Sequence, residues 1–134
     1  MATKQAATFR STVPNGTFGN LCKTEGKAIF AAEAANTVIQ TLKLEAGTKL
    51  YGLKAHHDNL GAGTSIKVGY AYVDATHGAA VDDAFCSGAT TSAGVLEFNG
   101  KPITLDHPAI LTVTNTGTAT GEVVVIPEYE YRGV

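Results

Sequence analysis

The run Thr64-Ser-Ile-Lys-Val-Gly-Tyr-Ala-Tyr-Val73 decides the fold class. Ile66, Val68, Tyr70 and Tyr72 occupy alternate positions, so an extended chain gathers them on one face and leaves Lys67, Gly69 and Ala71 on the other. The same period of two continues outward. Upstream, residues 37–44 alternate Val38, Gln40, Leu42 and Leu44 against Thr37, Ile39, Thr41 and Lys43; Glu45-Ala-Gly-Thr48 reads as a turn, and residues 49–56 as the next strand. Asn59-Leu-Gly-Ala-Gly63 then breaks the pattern with two glycines.

Downstream, Asn99-Gly100 between residues 94–98 and 101–105 predicts a type I′ hairpin, because that dipeptide supplies the positive φ angles such a turn needs, with Pro102 pushing the returning strand to an edge. Residues 109–115 and 122–126, joined by a Thr/Gly-rich turn, predict a second hairpin. In the closing segment Tyr129 and Tyr131 share one face, and Glu128 and Glu130 the other. Helix signals are nearly absent. Lys27 to Ala35 is Ala-rich without an apolar stripe and fits a short helix or an edge strand. Residues 74–83 read as a loop leaving the sandwich, and Phe85-Cys86 as a short strand or a packing plug. About eight short strands with turn chemistry between them predict an all-β fold, an antiparallel β-sandwich of jelly-roll type. Residues 1–22, with Pro14-Asn-Gly16 and Gly19, are expected to form an extended N-terminal arm, and residues 23–134 a single domain.

Composition excludes several function classes. The 134 residues are 44% hydrophobic but only 16% charged, below the roughly 25% of an average domain. No stretch approaches the ~20 apolar residues of a membrane span, and the small net charge of −2 argues against disorder. Ten basic residues against twelve acidic ones give no field for a phosphate backbone, so nucleic acid is not an expected partner. No apolar segment follows Lys4, so synthesis and folding in the cytosol are expected, with Cys22 and Cys86 read as buried thiols.

Catalytic frames are missing as well. His56 and His57 are adjacent on a strand and point to opposite faces, so a metal would need His77 or His107 and a carboxylate such as Asp82 or Asp83 from elsewhere. There is no Gly-x-Ser-x-Gly elbow, and Gly61-Ala-Gly63 joins two strands rather than opening a helix, so nothing there cradles phosphate. The expectation is a non-enzyme without cofactor or metal. A surface short of charge and rich in Thr, Gly and Ala suits lateral contact with other protein, and a glycan-binding module is the rival, weakened by the lack of Trp and by only five Tyr.

Three segments carry a resemblance: Leu42-Lys-Leu-Glu-Ala-Gly-Thr-Lys-Leu50, the run from His57 to Tyr70, and Gly121-Glu-Val-Val-Val-Ile-Pro-Glu-Tyr129. Together they resemble the small head decoration, cement or capsid-stabilising proteins of tailed bacteriophages. The resemblance implies a structural protein on the exterior of the virion capsid that binds the major capsid protein and itself, as a homotrimer, with a head-fibre or tail-associated binding module as the alternative. It implies no catalytic residue. The candidate partner contacts are Phe9, Arg10 and Phe18 in the arm, His77 and Asp82 in the wandering loop, and Tyr129 and Tyr131 in the last strand. A terminal strand around Phe9-Arg10 or Tyr129-Glu-Tyr131 is the expected place for strand addition to a neighbour's sheet.

Overall fold

A computed structural model describes residues 2–11, 21–98 and 100–131, apart from the side chains of Arg10 and Ser11. Its elements are β1 (Thr3–Gln5), α1 (Ala7–Ser11), β2 (Leu21–Lys23), β3 (Gly26–Glu33), β4 (Val38–Leu44), β5 (Thr48–His57), β6 (Ser65–Tyr72), a 3-10 turn (Ala75–His77), β7 (Val81–Ala89), β8 (Gly94–Glu97), β9 (Ile103–Leu105), β10 (Ala109–Thr116) and β11 (Ala119–Tyr131). One sheet runs β1-β4-β10-β6-β7. In the other, β11 and β5 are central, β2 and β3 follow one another along β11, and β8 and β9 follow one another along β5. All pairs are antiparallel except β1 with β4.

Most connections cross from one sheet to the other; β2–β3, β6–β7 and β8–β9 stay within one sheet, and of these β6–β7 turns back as an antiparallel pair. Two packed sheets joined this way make the β-sandwich of jelly-roll type that the alternating pattern predicted. Alternation also builds the core, with one correction in β4: Leu111 pairs with Leu42 but Thr112 with Gln40, so a bulge at Thr41 turns Ile39 inward along with Leu42 and Leu44, where an unbroken period of two sets them on opposite faces. Ile39, Leu42, Leu44, Ile66, Val68, Leu111 and Val113 from one sheet meet Phe30, Leu50, Leu53, Val123, Val125 and Tyr129 from the other, all at most 3% exposed. Each such side chain contributes about 1.5–3 kcal/mol by leaving water.

Both predicted hairpins are corrected. β8 and β9 are each antiparallel to β5, so they run in the same direction and cannot pair as a hairpin. Ten-residue β5 has an edge longer than β8 can fill. The chain leaves after Phe98, whose N–H donates to Leu53 O at 2.9 Å, bulges by two extra residues past Pro102, and rejoins with Ile103 opposite Leu50. Asn99 itself lies outside the described residues. β10 and β11 do not pair either; Gly117, at φ 89°, turns the chain across the sandwich into the opposite sheet.

Residues 27–33, left open between helix and strand, lie in edge strand β3. The predicted loop 74–83 ends earlier, at Val81, where nine-residue β7 begins and carries Phe85 and Cys86. Its N-terminal part folds onto the outside of β6 at Gly69, where an added Cβ would lie 2.0 Å from Val81 O. A short bulge absorbs the excess, because Val68 pairs with Cys86 but Tyr70 with Val81. Cys22 and Cys86 lie on different sheets and form no disulfide.

Candidate functional site

The two outer faces differ in how far their side chains satisfy one another. On the sheet centred on β11 and β5, charges are cancelled across neighbouring strands: Lys23 with Glu128 at 3.4 Å, Lys27 with Glu122 at 3.7 Å, and Lys54 with Glu97 at 3.9 Å. Tyr51 donates to Glu130 at 3.2 Å, and the Lys49 ammonium lies 5.4 Å from the Tyr51 ring centre. Exposed pairs of this kind each contribute little to stability, and Leu21, Ile29 and Val95 stand exposed on the same sheet.

The outer face of the five-stranded sheet is built differently. Its residues are small: Ala71 from β6 and Thr112 and Thr114 from β10 floor a shallow groove of about 310 Å³, walled by Val38 and Asn36 on one side and Ala80 and Asp82 on the other. The Ala80–Asp82 wall stands where β7 folds over Gly69. Among the described residues Lys67 and Asp82, 3.7 Å apart, are the ion pair of this face beside the groove. Thr114 is 4% exposed, and its Oγ1 has no hydrogen-bond partner. An unpaired buried hydroxyl costs about 1–3 kcal/mol.

Beyond β6 the same sheet carries an aromatic loop end. The imidazoles of His77 and His107 stack at 3.7 Å with 14° between their planes, and Tyr72 sets its ring edge-on to both. Tyr70 meets Tyr72 at 5.4 Å, and burial, with Tyr70 adding to it, holds the Tyr72 phenol above its ordinary value. Asp74 caps the 3-10 turn: its Oδ1 accepts from Thr76 N at 3.0 Å and from Thr76 Oγ1 at 2.7 Å, which lowers the Asp74 carboxyl below its usual range, the His77 and His107 rings adding in the same direction. Val73 and Val81 flank this end at 50% and 39% exposure. Stacked rings direct their nitrogen lone pairs in parallel planes, so this pair is not arranged to chelate one ion. Among the described residues no group of three His, Cys, Asp or Glu is placed to hold a metal.

The expected contact residues separate accordingly. His77 and Asp82 belong to the one β6–β7 hairpin. Phe9 and Arg10 are in helix α1 rather than a strand, because Phe9 N donates back to Ala6 O and closes a helical turn; the Arg10 side chain and Phe18 lie outside the described residues. Tyr129 is corrected as a contact: the inward alternation of Val123, Val125 and Pro127 continues to it, and at 1% exposure it is core. Tyr131 is half-buried at the end of β11. That strand is not an edge, since β2 occupies Glu128–Glu130 on one side and β5 occupies the other, so strand addition there is excluded. The groove residues Ala71, Thr112 and Thr114 were missed, and only their small size at outward strand positions signalled them in the sequence.

No family model matches the chain, and no curated protein does. Solved structures do. The chain is similar to one from the capsid of Ralstonia phage GP4, at TM-score 0.73 and 17% identity over 99% of both chains. It is similar to one from the cyanophage Pam1 capsid asymmetric unit, at TM-score 0.62 and 19% identity over 93% of this chain and 95% of that one. A third is in the acidic stable capsid structure of Helicobacter pylori bacteriophage KHP30, at TM-score 0.60 and 14% identity over 83% and 89%. At such identities the likeness establishes the fold: an all-β sandwich found, over nearly its whole length, in chains of three phage capsid structures.

Proposed function

We propose that this protein is a non-enzymatic virion component that decorates and stabilises a phage capsid, sitting on the exterior of the shell, binding the major capsid protein lattice and associating with itself as a small symmetric oligomer, a trimer in the simplest case. The observation that carries the reading is the match over 99% of both chains to a chain of a phage capsid.

The physical logic is linkage. A clamp that binds the assembled lattice and not the dispersed subunits stabilises the lattice by mass action, and repetition over many equivalent positions makes modest individual contacts sufficient. A low-charge surface suits that role, because few long-range repulsions oppose close lateral packing.

The test is to mix purified protein with expanded empty shells of the phage that encodes it and to reconstruct the particles by cryo-EM. Extra density at lattice symmetry positions, fitted by this jelly roll, is the expected result. Shells that carry no such density at saturating protein would overturn the proposal.

A further inference from the structure

We infer that the groove on the outer face of the five-stranded sheet is the surface by which one copy of this chain holds another, the Ala80–Asp82 ridge of one copy entering the groove floored by Ala71, Thr112 and Thr114 of the next. The inference rests on the self-association included in the capsid reading and assigns it to a place.

Three observations select a second copy as the occupant. First, the groove and the Ala80–Asp82 ridge stand side by side on the same face. The ridge is raised because β7 crosses over Gly69, and just before it Ala79 and Ala80 are small, uncharged and exposed. A patch that carries both a projection and a matching depression is what self-association about a symmetry axis requires. Second, the patch holds one charge of each sign. Lys67 and Asp82 are 3.7 Å apart within one chain, at 39% and 52% side-chain exposure, so in a symmetric contact Lys67 of one copy can face Asp82 of the next with no net charge buried. Third, the groove floor holds Thr114, a buried residue whose Oγ1 has no hydrogen-bond partner within the chain.

The experiment is size-exclusion chromatography with light scattering on the purified protein over a wide concentration range. The wild type is expected at a whole-number multiple of the protomer mass. Ala71→Arg and Thr112→Lys, which fill the groove from an outward strand position, are expected at the protomer mass with unchanged circular dichroism. Val95→Arg, at an exposed position on the other sheet, is expected to keep the wild-type mass. A second arm is independent of folding defects: Lys67→Glu and Asp82→Lys are each expected to associate weakly alone and to recover association when mixed. A wild type at protomer mass throughout, groove variants that keep the wild-type mass, or mixing without recovery overturns the assignment. Cryo-EM of shells separates the two claims, because a dissociated Ala71→Arg that still decorates them leaves the lattice reading standing, whereas an associating wild type that never decorates them removes that reading alone.

Discussion

Asn115 Oδ1 accepts the Thr37 backbone N–H at 2.8 Å, and the same side chain donates through Nδ2 to Glu33 O, Ala34 O and Gly117 O at 3.1, 3.0 and 2.8 Å. Asn36 N and Asn115 O add a backbone bond at 2.8 Å. One fully buried amide therefore ties the β3–β4 corner, where Asn36 adopts φ 65°, to the β10–β11 corner, where the chain changes sheets. Replacing it with Ala strands a buried N–H and several carbonyls. Asn115→Ala is expected to cost about 3 kcal/mol, summed over groups worth roughly 1–3 kcal/mol each, and Asn115→Asp nearly as much because a carboxylate cannot donate. Urea denaturation monitored by circular dichroism checks this, and a midpoint unchanged in either variant contradicts it.

Gly69 faces outward on β6 and is covered by the start of β7, so close approach rather than positive φ fixes its identity. The Cβ of an alanine would meet Val81 O at 2.0 Å and the Asp82 carbonyl carbon at 2.5 Å, all backbone atoms that cannot rotate away. Gly69→Ala is expected to destabilise the fold by about 1–3 kcal/mol or to lift the ridge off the sheet. If the inferred self-contact is correct, the same variant also weakens association. Hydrogen exchange localised to residues 80–83, together with light scattering, reads both effects.

Why these features were hidden follows from what periodicity encodes. Alternation records which side chains face the core, and along 64–73 that was enough for the strand and its inward set, whereas in 37–44 a bulge at Thr41 brings Ile39 inside together with Leu42 and Leu44, which a strict period of two keeps on opposite faces. Periodicity says nothing about which strand is the neighbour. Asn99-Gly100 is a strong local turn signal, yet the long free edge of β5 offers β8 and β9 more rungs than a two-stranded hairpin would. Tyr129 was misplaced for a related reason: a terminal segment looks like an edge until β2 is known to return beside it. Asn115 and Thr114 have equal standing as polar residues in a strand sequence. Only the three-dimensional neighbours distinguish the one with four partners from the one whose hydroxyl has none.

The cap at Asp74 sets an acid response at the loop end. Its carboxyl is lowered from an ordinary value of 3.8, first by the hydrogen bond from the Thr76 hydroxyl and then by that from Thr76 N. A depressed folded value means that the cap is intact above the ordinary carboxylate range and is lost as pH falls through the lowered value. The Thr76 amide resonance in an NMR titration is expected to move with a midpoint below 3.8, and in Asp74→Asn that transition should be missing. A midpoint at or above the ordinary value would show that the cap does not form in solution.

Cys86 sets the alkaline limit. Burial within β7 pushes its thiol from 9.0 up to about 11. At pH 8 the thiolate population is then about 100-fold below that of an ordinary cysteine, so alkylation by iodoacetamide, followed by mass spectrometry, is expected to modify Cys86 more slowly than a free cysteine by about that factor. The stability consequence has a definite sign. A raised folded value favours the protonated form in the native state, so the contribution is complete below pH 9 and is lost as pH rises through 11. Tyrosines and lysines titrate in the same window, so the informative quantity is the difference between wild type and Cys86→Ala. Alanine removes the thiol and a little packing, lowering Tm at neutral pH, but its Tm should fall less steeply between pH 9 and 11. Parallel Tm profiles in the two proteins would mean that the thiolate meets no penalty at this site and that the strand opens readily enough to hydrate it.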